Sequence, residues 1–149
     1  MTITTLVTVT CLFLGQAAAA PPQQEVWLKA FEGTWVPDGS KPGSEDVFLT
    51  ITREKDILVL NSMVGSRVIQ TRYDLSGTAL TNTGLGRPAL FRSRLDAQKI
   101  VTEIWAGPEA IGPPSRIETR YLETPDRMVT ELRETPDGPV VNRGVGRRK

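Results

Sequence analysis

The chain has 149 residues, 18 basic and 17 acidic, with a formal net charge of +1, no histidine and one cysteine. The lack of histidine excludes imidazole acid–base catalysis, a Ser-His-Asp arrangement and histidine-ligated zinc or haem. So even a charge balance is not that of a non-specific nucleic-acid binder.

Residues 1–19 read as a secretory signal peptide. They are uncharged, Leu6 to Leu14 is an apolar run too short to span a bilayer, and Ala17 to Ala20 supply a small-residue cleavage site. The MTITT start lacks the usual Lys or Arg, and the β-rich TITTLVTVT is the one segment that also suits a buried strand. Cleavage after Ala19 leaves residues 20–149 as one domain, without Cys11 and without a membrane span, placed in the periplasm or outside the cell. That domain has no thiol for nucleophilic chemistry, a disulfide or a thiolate metal site, and no cofactor or metal is expected.

Gln23 to Phe31 predicts a short helix, with Trp27, Leu28 and Phe31 on one side. Gly33 to Val36 is a first strand and Pro37 to Ser44 a loop. Strands follow at 46–53, 57–63, 67–74, 79–83, 89–95, 100–105, 115–123, 128–134 and 139–146, separated by turn residues such as Glu54-Lys55-Asp56, Ser76-Gly77, Thr124 to Arg127 and Pro136-Asp137-Gly138. The longest insert in the second half is Gly107 to Pro114. Short connections without crossover helices predict an all-β, up-and-down antiparallel barrel of about eight to ten strands with a short N-terminal helix. A β-sandwich needs a long arch that is missing here. Arg147, Arg148 and Lys149 read as a solvated basic tip.

Five strands repeat apolar, hydroxyl, apolar at alternate positions: Ile69-Thr71-Tyr73, Phe91-Ser93-Leu95, Ile100-Thr102-Ile104, Ile117-Thr119-Tyr121 and Met128-Thr130-Leu132. Alternate residues share a face, so this set points inward. The charged positions between them, including Glu103, Glu118, Glu131, Arg92, Arg94, Arg116, Arg120 and Arg133, then point outward. The hydroxyl belt has two readings: packing in a narrow barrel, or hydrogen-bonding groups around a cavity for an apolar or amphipathic guest. On the second, Thr71, Tyr73, Ser93, Thr102, Thr119, Tyr121 and Thr130 are the binding candidates. Hydroxyls alone lack a base to activate them, so no catalytic residue is assigned and the protein reads as a non-enzyme. An enzyme reading requires an Arg and a Tyr to converge inside. Trp105 faces outward at the start of the 107–114 loop and is a candidate lid or protein-contact patch.

Phe31-Glu32-Gly33-Thr34-Trp35 resembles the start of a lipocalin or calycin barrel, where a short helix leads to Gly-x-Trp on the first strand. The layout also resembles small exported bacterial barrel proteins of uncharacterised function, through Ser93 to Val101 (SRLDAQKIV). The resemblance implies a lipocalin-like barrel with Gly33 and Trp35 at its base. It also implies a basic residue near the end of the last strand that covers the tryptophan, with Arg143 the best positional match and Arg147 the next. The usual lipocalin disulfide has no counterpart. The function expected is binding of a small apolar or amphipathic ligand. The alternative is a protein-interaction or inhibitor module of the cell envelope with a packed core.

Overall fold

The computed structural model describes residues 22–40, 47–64, 66–84 and 86–149; the leader expected at 1–19 lies outside them. One helix, α1 (Pro22–Lys29), precedes ten strands: β1 (Gly33–Pro37), β2 (Val47–Glu54), β3 (Ile57–Val64), β4 (Arg67–Asp74), β5 (Ser76–Asn82), β6 (Ala89–Asp96), β7 (Lys99–Ala106), β8 (Arg116–Thr124), β9 (Arg127–Arg133) and β10 (Val140–Arg148). They form one antiparallel sheet in the order β4-β3-β2-β1-β10-β9-β8-β7-β6-β5. The chain therefore winds up and down, and β1 pairs with β10 to close the ring on one side. Tight turns at Lys55-Asp56 and Ala97-Gln98 carry the β2–β3 and β6–β7 hairpins. Lys55 (φ 57°) and Ala97 (φ 52°) hold the left-handed backbone that such turns demand.

The two edge strands, β4 and β5, meet without a ladder. Asn82 supplies one instead: its side-chain Oδ1 accepts from Arg72 N at 2.8 Å and its Nδ2 donates to Arg72 O at 3.0 Å. The amide stands in for a neighbouring strand's peptide group and is itself buried. Beside it, a Cβ on Gly84 would lie 2.6 Å from Gln70 O, so this close approach requires glycine.

One end of the barrel is plugged. Leu28, Phe31 and Trp35 are buried with Ile51, Leu58, Leu60, Tyr73, Phe91, Ile100 and Met128. Trp27 packs edge-on against Phe31 at 4.7 Å, and Trp35 Nε1 donates to Phe31 O at 2.9 Å. Arg53 reaches Glu25 at 2.6 Å and ties the helix to β2. The cation over Trp35 is Arg148, not Arg143. Its guanidinium lies 4.4 Å from the indole and donates to the carbonyls of Glu32 (2.9 Å), Ala30 (2.6 Å) and Pro125 (3.1 Å). β10 runs further than the sequence suggests, pairing Arg148 with Trp35, so the basic tip is part of the barrel base. Arg143 instead pairs with Glu123 (3.4 Å) and Glu131 (3.8 Å) on the outer wall. Gly33 lies under Arg148, where a Cβ would come within 2.7 Å of Nη1, and its φ is +128°.

The inward phase expected for β8 is inverted. Cross-strand partners share a face, and Ile100 pairs with Arg120 and Thr102 with Glu118. Arg120 in turn pairs with Thr130, and Glu118 with Leu132. Arg116, Glu118 and Arg120 therefore point inward, while Ile117, Thr119 and Tyr121 point outward with Glu103, Val101 and Lys99. The cause is a bulge in the β8–β9 hairpin. Thr124 pairs with Arg127 but Leu122 with Met128, leaving Glu123 as the extra residue. One extra residue flips every side chain beyond it.

Candidate functional site: the polar floor of the barrel

Strands β4, β6, β7, β8 and β9 bring Tyr73, Ser93, Thr102, Glu118, Arg120 and Thr130 into the interior. Ser93 and Thr102 are fully buried and share a hydrogen bond of 3.0 Å, so these two belt hydroxyls satisfy each other. Thr71 and Thr130 are half-buried. Thr119 and Tyr121 are not in the interior. The Tyr121 hydroxyl donates to Glu131 at 3.1 Å on the outer wall, under Lys99.

The centre of the floor is charged. Arg120 Nη2 donates to Glu118 Oε1 at 2.9 Å, and the guanidinium lies 5.5 Å from the Tyr73 ring. Both side chains of the ion pair are largely buried, at 10% and 13% exposure. Arg120 Nε and Nη1 are also buried, yet neither has a hydrogen-bond partner. An arginine carries five N–H donors, and a buried orphan donor is costly. Burial pushes the Tyr73 phenol well above its ordinary pKa, and the Glu118 carboxylate adds to this while Arg120 offsets part of it. Burial works against the Arg120 charge, but Glu118 and Tyr73 outweigh it and hold the guanidinium protonated. The floor thus holds a compensated ion pair, a neutral phenol and spare donors.

Among the described residues, burial falls off toward the end of the barrel away from the helix. Of the inward residues there, Ser62, Ile69, Thr71, Ile104, Thr130 and Leu132 are half-buried, while Phe91 opposite Ile104 and Leu60 opposite Thr71 stay buried. Gly144 pairs with Thr130 on the same face, and a Cβ there would meet nothing within 4 Å. Among the described residues the interior is thus a cup, packed toward the helix and less tightly buried at the other end.

Two pockets lie on the outer wall. One of about 450 Å³ is lined by the 107–114 loop with Trp105 and Ser115. Trp105 is buried beneath that loop, donates to Gly112 O at 3.0 Å and carries Arg92 over its ring at 5.0 Å. The other, of about 240 Å³, includes Lys99, Val101, Ile117, Thr119 and Arg133.

Glu118, Arg120 and Gly144 escape the sequence reading. Alternation points to Ile117, Thr119 and Tyr121 because they are the less polar set. The one available signal is Glu123 beside the Thr124-Pro125-Asp126-Arg127 turn, where an odd residue in the hairpin reverses the phase.

No family model and no curated protein sequence matches the chain. Solved structures do. A protein described as the REP1-NXSQ fatty acid transporter aligns with a TM-score of 0.60 at 14% identity, over 81% of this chain and 97% of that one. Lipid binding protein 8 of Caenorhabditis elegans aligns with a TM-score of 0.62 at 13% identity, over 82% and 97%. A point mutant of the fluorescent protein UnaG aligns with a TM-score of 0.56 at 18% identity, over 82% and 98%. Identity at this level speaks for shared architecture rather than shared chemistry. With the strand order, the helix plug and the Gly33-x-Trp35 base under Arg148, the alignments establish a lipocalin-like, calycin-type barrel fold for this chain.

Proposed function

We propose that the cup binds a small amphipathic molecule, whose polar end meets Arg120 and whose apolar part lies along Ile104, Leu132 and Ile69. The observation that carries this reading is the buried guanidinium on the inward face of β8, two of whose nitrogens are without a hydrogen-bond partner. A guest acceptor satisfies those donors, and burial of its apolar part supplies the driving force. Structural neighbours described as a fatty acid transporter and a lipid binding protein are in keeping with it. The role is carriage or capture rather than catalysis. Arg120 and Tyr73 do converge, but the phenol is buried beside a carboxylate that disfavours phenolate, which makes it a poor proton donor. Export through the 1–19 leader belongs to the same proposal, and fractionation of host cells tests it.

Native mass spectrometry of the protein purified from its own host is expected to show a retained small molecule. Gly144→Leu, which fills the open space opposite Thr130, is expected to abolish that retention with circular dichroism unchanged. Retention undiminished in Gly144→Leu would place the guest elsewhere.

A second reading has one observation in its favour. Ile111 is 78% exposed on the loop that Trp105 anchors, which suits a protein contact. Ile111→Asp separates the two readings, because it removes a partner's footing and leaves guest binding intact.

A further inference from the structure

The charge state of the floor restricts the guest further. We propose that the site selects an uncharged hydrogen-bond acceptor, the carbonyl of an amide, ester or ketone, over a carboxylate. This rests on the reading of the cup as a binding site. Glu118 already neutralises Arg120 at 2.9 Å, with both side chains largely withdrawn from water. The inward residues paired with them, Thr102, Leu132, Ile100 and Thr130, carry no charge. A second carboxylate at the spare Nε and Nη1 donors leaves a net negative charge in a poorly solvated floor, and a buried charge without compensation is strongly unfavourable. A neutral carbonyl accepts the same donors without that cost. Tyr73, kept protonated, presents a second uncharged polar group beside them. Arg116 is the next inward residue on β8 and is exposed at the mouth, so its charge is screened by solvent before it reaches the floor.

Isothermal titration of the purified protein with decanamide and with decanoate tests the assignment. Decanamide is expected to bind about tenfold more tightly or better. Glu118→Gln keeps the shape and frees the Arg120 charge, so it is expected to move the preference by at least about tenfold toward decanoate. Wild-type protein that takes decanoate as tightly as decanamide overturns the charge assignment and leaves guest binding standing. Protein that takes neither overturns both. The wild-type comparison decides the matter even where Glu118→Gln fails to fold.

Discussion

Arg148→Met offers the sharpest test of how the barrel base is held. Methionine preserves a flexible apolar stem over Trp35 but removes the guanidinium, which lies 4.4 Å from the indole. The carbonyls of Ala30 and Glu32 lose donors at 2.6 Å and 2.9 Å in a part-buried setting. At Pro125 O, where the contact is exposed, water takes the place of the lost donor at little cost. A hydrogen bond to a charged group contributes about 1.5–3 kcal/mol. The lower figure suits a side chain that is 30% exposed. Two such bonds, with about 0.5–1 kcal/mol for the cation over the ring, give an expected loss of roughly 3–4 kcal/mol. Urea unfolding followed by tryptophan fluorescence reads this directly, because Trp35 sits under the change. With a slope of about 1.5–2 kcal/mol per molar urea, the midpoint falls by about 2 M. Arg148→Lys recovers little, since an ammonium cannot fork between two carbonyls. Arg143→Met serves as the reference, with an expected loss of under about 0.5 kcal/mol from exposed ion pairs. Equal losses for Arg143→Met and Arg148→Met would refute the assignment of the base to Arg148.

Other consequences can be measured as simply. Asn82→Ala deletes both bonds that join β5 to β4 and is expected to cost about 2–3 kcal/mol, with faster hydrogen exchange at the Arg72 amide; an unchanged exchange rate removes the clip from the account of closure. Tyr73 has a folded pKa raised above its unfolded value of 10.0, so the folded state retains a proton that the unfolded state loses. Its contribution is complete below pH 10 and falls by up to about 1.4 kcal/mol per pH unit above it. Tyr73→Phe is expected to flatten that alkaline slope. Ala97→Gly relieves a left-handed backbone (φ 52°) and is expected to raise the urea midpoint, for a net gain of about 0.5 kcal/mol after glycine's entropic cost.

Much of the architecture was written locally. The turn residues, the alternation of strands β4, β6, β7 and β9, and the aromatic group Trp27, Phe31 and Trp35 predict an antiparallel barrel with a short helix at its base, and the strand bounds differ by only a few residues. These features are legible because turn chemistry and side-chain alternation act between residues close in the chain. The base and the floor are not of this kind. Arg148 and Trp35 are far apart in sequence, and Arg143, then Arg147, look the better positional matches until the register of β1 on β10 is known.

The floor shows the limit most clearly. By hydropathy, Ile117, Thr119 and Tyr121 belong inside and Glu118 and Arg120 outside. A single bulge at Glu123 reverses this, and the reversal is tolerated because Glu118 and Arg120 neutralise each other beneath Tyr73. Alternation decides that one face of β8 turns inward, since it is a property of the strand itself. Which face does so is decided by the pairing of β8 with β7 and β9, together with the partners that make a buried charge bearable.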